Sequence, residues 1–136
     1  MDEGRGPLHG LRVVDAATLV AGPMVATALD AASVAAEEGH ELEVIDLRTL
    51  SPLDLPTVID SVRRTGRAII VHEAPGNLGL GAEIAARIQE QAFYSLQAPV
   101  LRVTGYDTPY PPARIEDEWL PNLDRILDAV DRSLAF

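Results

Sequence analysis

The chain has 136 residues, 47% of them hydrophobic, which suits a single domain with a core of its own. Twenty-one acidic residues against eleven basic ones give a net charge of −10, a poor match for nucleic acid or an anionic membrane and an ordinary one for a soluble surface. All eleven basic residues are Arg and there is no Cys, so lysine Schiff bases, disulfides and thiolate metal sites are excluded and a cytoplasmic setting is the default.

Residues 1–10 read as a flexible leader of mixed charge rather than a secretory signal, and residues 11–136 as one domain. No apolar run reaches the 18 residues a membrane span needs. Two strand-like runs, 11–14 and 16–21, flank Asp15, and Gly22-Pro23 ends the second; Pro suits the first turn of a helix. Met24, Val25, Ala28, Leu29 and Ala32 set a helical stripe over residues 24–38, closed by Gly39. A strand follows at 42–47. Ser51 is the expected cap for a helix over 55–64, whose stripe is Leu55, Val58, Ile59 and Val62.

The run Ala68-Ile69-Ile70-Val71 reads as a buried strand that ends at His72-Glu73. After it come a turn at Pro75-Gly76-Asn77, a loop with Gly76, Gly79 and Gly81, and a helix to about residue 96. A fourth strand spans 99–104, a Pro- and Tyr-rich stretch spans 105–112, and a last helix spans 122–134. Strands alternating with helices through short connections predict an α/β fold with a mainly parallel sheet covered on both faces. In such folds the working groups sit on loops at the carboxyl ends of the strands, here residues 72–83.

The chemical motifs are incomplete. The glycine loop offers a helix N-terminus to a phosphate, but Gly79-x-Gly81-x-x-Ile84 places Ile where the dinucleotide fingerprint needs a small residue, and a P-loop lysine is missing. A tight turn packed against a neighbour is the favoured reading. His72 and Glu73 are strand neighbours and point to opposite faces, so a shared proton path is disfavoured; a histidine satisfied by hydrogen bonds at a domain or subunit contact is favoured. His9, His40 and His72 have no metal-ligand spacing. Asp46 and Arg48 suit a structural ion pair, with an Arg waiting for a carboxylate as the alternative. No serine lies in a G-x-S-x-G elbow. Taken alone, these residues lack a complete active site.

Residues 42–54 (LEVIDLRTLSPLD), 71–98 and 99–112 (PVLRVTGYDTPYPP) together resemble the C-terminal domain of the beta subunit of 2-oxoacid dehydrogenases. His72-Glu73-Ala74, Gly81-Ala82-Glu83-Ile84 and Gly105-Tyr106-Asp107-Thr108-Pro109 resemble its branched-chain type most. The resemblance covers roughly residues 18–136. It implies a transketolase C-terminal fold, three layers α/β/α around a five-stranded mixed sheet. It also implies a parent enzyme that uses thiamine diphosphate and Mg, both held outside this domain, to decarboxylate a 2-oxo acid and pass the acyl group to lipoyl. The domain itself would serve assembly with alpha and beta subunits and dock the acyltransferase subunit-binding domain. On this reading Arg48, His72, Glu73, Gly79, Gly81 and Asp107 are interface or anion contacts, and Phe136 with its carboxylate is a docking terminus.

Two features depart from that family. Ala21 runs directly into Gly22, one residue short of the usual pattern. Residues 6–26 (GPLHGLRVVDAATLVAGPMVA) also resemble the start of a family III CoA-transferase, which raises a chimera. The alternatives to an assembly domain are a stand-alone anion-binding module using Arg48, His72 and the glycine loop, and an engineered or truncated chimera with no activity. A surface buried by partners in a longer parent predicts self-association of this chain.

Overall fold

A computed structural model of the chain describes residues 11–15 and 23–136; the leader and the second strand-like run, 16–21, lie outside the described residues. The elements are β1 (Leu11–Asp15), α1 (Pro23–Glu37), β2 (Leu42–Asp46), α2 (Leu55–Thr65), β3 (Ile69–Pro75), α3 (Leu80–Ala92), β4 (Leu101–Gly105), α4 (Glu116–Trp119) and α5 (Leu123–Leu134). Short 3-10 turns at Phe93–Ser95 and Ala113–Ile115 fill two of the connections.

Among the described residues the sheet has four strands in the order β2-β1-β3-β4, all parallel. The family resemblance implies five strands in a mixed sheet; among the described residues there are four, and all of them run parallel. The period-two alternation of β3 sorts its side chains between two cores. Ala68 and Ile70 pack with Val58, Val62, Ile84 and Ile88 of α2 and α3 on one face. Ile69 and Val71 pack with Met24, Ala28, Ile126 and Val130 of α1 and α5 on the other. Helices therefore cover both faces, the three-layer α/β/α arrangement.

Ile69, Ile70 and Val71 are fully buried. At about 1.5–3 kcal/mol for each such side chain, this short strand is a principal anchor of both layers.

Several boundaries differ from the sequence reading for local reasons. α2 is capped by Asp54 rather than Ser51: its carboxylate accepts from the Thr57 N–H at 3.3 Å and the Thr57 hydroxyl at 2.7 Å. These hydrogen bonds hold the Asp54 pKa below the usual carboxylate value. α5 begins after Asn122, whose side chain accepts from the Arg125 N–H at 3.0 Å. α3 stops at Ala92 instead of residue 96. β3 does not end at His72-Glu73; it runs on to Pro75 because β4 continues to pair with it, His72 opposite Thr104 and Pro75 opposite Gly105.

Candidate functional site

The carboxyl ends of β3 and β4 bring most of the singled-out residues into one neighbourhood. His72 lies on the Ile70 face of β3, directly beneath the start of α3. It is 1% exposed. A Cβ on Gly81 would stand 2.3 Å from His72 Nε2, and one on Gly79 would stand 2.9 Å from His72 Cε1 and 2.3 Å from the Pro75 carbonyl. Both glycines are therefore required by close approach: the loop lies on the imidazole, and no side chain fits between. The space a phosphate would need at this helix start is filled by the ring.

Neither nitrogen of His72 has a hydrogen-bond partner. Hydrogen bonds that would satisfy this histidine are not found among the described residues. Burial lowers its pKa below the usual 6.5 and the positive Arg102 lowers it further, opposed only in part by the Ala74 backbone. Glu73, on the other face, is half-buried, and burial together with Glu116 raises its pKa. The two groups share no proton path.

The loop above His72 is pinned from the β4 side. Arg102 donates to the Gly76 carbonyl at 2.8 Å, and the Asn77 N–H donates to Asp107 Oδ1 at 2.7 Å. Asp107 is thus a brace of the turn. Between the pins and α3, Leu78 is fully exposed and holds φ at +56°, a left-handed conformation costly for a residue with a Cβ.

The stretch after β4, read from sequence as irregular, is built around Trp119. The indole is buried, and a Cβ on Gly105 would meet its Cη2 at 2.3 Å and the Glu73 carbonyl at 2.4 Å. Trp119 Nε1 donates to Thr108 Oγ1 at 3.0 Å, and Tyr110 meets the indole edge-on at 4.9 Å between ring centres. The Tyr110 hydroxyl donates to the Glu116 carboxylate. Arg125 donates to the carbonyls of Thr104 at 2.5 Å, Leu120 at 3.3 Å and Trp119 at 3.4 Å, and lies 4.7 Å over the Tyr106 ring. Sequence reasoning singled out neither Trp119 nor Arg125. The available signal was a lone Trp in an acidic run just ahead of Leu120-Pro121.

Arg48 lies apart from this neighbourhood, at the end of β2, and pairs with Asp46 at 2.8 Å. Phe136 is 72% exposed. A cavity of about 300 Å3 between β4 and α5 carries Arg102, Arg125 and Arg132 with Asp124 and Asp128. Its arginines are engaged: Arg102 and Arg125 by carbonyls, and Arg132 by Asp128 at 3.5 Å. Among the described residues no group of three or more His, Asp or Glu side chains could hold a metal ion. With the glycine cradle filled as well, these residues do not fit a thiamine diphosphate–magnesium site. No helix of the described residues is long and apolar enough to cross a membrane.

The chain is similar to several known proteins. A 3-methyl-2-oxobutanoate dehydrogenase subunit beta of Mycobacterium tuberculosis (strain CDC 1551 / Oshkosh) is 56% identical over 122 residues, covering 88% of this chain and 35% of its own. A pyruvate dehydrogenase E1 component subunit beta of Leifsonia xyli subsp. xyli is also 56% identical, over 134 residues, covering 96% of this chain and 40% of its own. The chain thus spans well under half the length of these relatives. A solved split gene transketolase, an inactive beta4 tetramer, matches with a TM-score of 0.72 and 25% identity, over 93% of this chain and 38% of that one. The resemblance of residues 6–26 to a CoA-transferase finds no support, since the similarity to the Leifsonia subunit takes in nearly the whole chain. The family profile of the transketolase C-terminal domain covers residues 11–126, and with the parallel sheet and its two helical layers it establishes that this chain belongs to the transketolase C-terminal domain family.

Proposed function

We propose that the chain is an assembly and docking domain from the beta subunit of a thiamine-diphosphate-dependent 2-oxoacid dehydrogenase, with no catalysis of its own. One observation carries this reading: at the carboxyl edge the polar groups are used up in bracing loops, while large apolar side chains stand exposed. His72 is sealed, Asp107, Arg102 and Arg125 hold backbone groups, and Leu78, Tyr106 and Tyr110 face outward there, while Phe93, Tyr94 and Phe136 stand exposed at the opposite edge of the sheet. A surface of that kind is suited to burial against protein rather than to turnover. The alpha and beta subunits of the parent are the partners that would cover it, and the cofactor and its metal would lie in parts of the parent outside this domain.

The finer reading is the branched-chain type, on the residues from His72 to Ala74 and from Gly105 to Pro109. Relatives named for pyruvate and for 3-methyl-2-oxobutanoate are equally similar, so its support is the motif alone. Docking of the acyltransferase subunit-binding domain is assigned to the exposed C-terminal Phe136 and its carboxylate, with the acidic surplus drawing in a basic partner. Calorimetric titration of this chain with that domain tests it. Binding that weakens from low to moderate salt, and that falls on deletion of Ala135 and Phe136, is the expected result. No binding by the folded chain at low salt, or binding indifferent to the deletion, would overturn the docking assignment.

A further inference from the structure

We propose that His72 is a proton-operated latch for the β3–α3 loop: the neutral ring holds residues 76–81 closed, and the protonated ring cannot stay beneath them. Four observations meet there. The imidazole is sealed under Gly79 and Gly81, and among the described residues neither nitrogen meets a hydrogen-bond partner, the Ala74 backbone offsetting only part of the cost of charging it, so an added N–H would be buried and poorly partnered. The ring lies under the amino end of α3, a 13-residue helix whose dipole opposes a cation at that end. The loop itself has few ties, chiefly the Arg102–Gly76 and Asn77–Asp107 hydrogen bonds and the Ala82 N–H donating to the Gly79 carbonyl at 3.0 Å. Leu78 sits in a strained left-handed conformation that opening would relieve.

The surrounding charges point the same way. From β4, Arg102 faces the ring and repels a second cation. At the start of α3, Gly81 and the preceding Gly79 lie against it, and the first-turn Glu83 is paired with Arg87 at 2.6 Å. On β3, Glu73 lies on the opposite face beside Glu116. β1 ends with Asp15 in register with Val71. Displacement of the ring would release the fully exposed Leu78 from its fixed position, so the latch sets the shape of an apolar knuckle at the sheet edge.

The test is amide exchange of Asn77 and Ala82, followed by NMR from about pH 8 to about pH 5.5, above the ordinary carboxylate range, together with the His72 Cε1–H shift. Their protection is expected to fall by up to about tenfold per pH unit, in step with the ring's titration, while Ile69 and Ile70 keep theirs. The His40→Asn chain should behave as the parent does, and the His72→Phe chain should lose the pH dependence. Protection of both loop amides that stays constant across this range, or a pH-dependent loss that persists in His72→Phe, would overturn the latch. Should His72→Phe fail to fold, the parent chain still decides: a ring that titrates while the loop keeps its protection refutes the proposal, and ring and loop moving together support it.

Discussion

Two rings at the carboxyl edge are seated on glycine, and they differ in one respect that matters. Trp119 lies over Gly105 and His72 lies under Gly79 and Gly81, each so closely that a single added carbon would collide. Trp119 finds a hydrogen-bond acceptor in Thr108 and a carbonyl brace in Arg125. His72 finds none. The same steric device therefore yields an unconditional anchor in one place and a conditional one in the other, because only the second ring can take up a proton.

The largest effect should come from removing the satisfied ring. Trp119→Ala is expected to lose about 3–5 kcal/mol in urea denaturation, with nearly the same loss at pH 5.5 and 7.5. Next come the seats. Gly81→Ala and Gly105→Ala should each cost about 2–3 kcal/mol through overpacking. A double-mutant cycle separates them. His72→Ala should recover most of the Gly81→Ala loss, since the nearest collisions there are with the ring. Trp119→Ala should recover little of the Gly105→Ala loss, because the Glu73 carbonyl remains 2.4 Å from the added carbon. Equal recovery in both cycles would erase the distinction drawn here.

Arg125→Lys is expected to cost about 1–2 kcal/mol, as an ammonium cannot reach three carbonyls and cover the Tyr106 ring together. The pH response of His72 follows in size. Its folded pKa is lowered, so on acidification the unfolded chain takes the proton first. Its stability contribution is full above the ordinary value of 6.5 and declines as pH falls below it, with a limiting slope of about 1.4 kcal/mol per unit. Urea midpoints of the parent and His72→Phe chains from pH 7.5 to 5.5 measure it, and parallel curves would contradict it. Glu73 has the opposite sign: its raised pKa means a charge held at some expense at neutral pH, recovered as pH falls through the carboxylate range. Glu73→Gln should therefore stabilise the chain at pH 7, by less than about 0.5 kcal/mol given its exposure.

Much of the fold was legible because its signals are local. The stripes of α2 and α5 appear as Leu55, Val58, Ile59, Val62 and as Leu123, Ile126, Leu127, Val130, and the apolar run at 68–71 announces a strand covered on both faces. Caps were less legible, since Ser51 and Asp54 are both good cap residues and only the start of the helix chooses between them. The neighbourhood of the site was foreseen in part. The glycine loop, His72 and Asp107 were singled out, but Trp119 and Arg125 were not, because their partners lie across the chain in Gly105, Thr104 and Thr108.

By itself the sequence determined the alternation of strands and helices and the two faces of β3, both of which follow from residue type and spacing. Tertiary structure alone decided what the glycines are for and what state His72 is in. Both depend on which atoms meet across residues 72–81 and 102–125, and neither period nor propensity carries that distance. A histidine code in a sequence is an imidazole of undecided charge. The fold biases it toward the neutral form by burying the ring under two glycines, beside an arginine and beneath the positive end of a helix, opposed only in part by the Ala74 backbone.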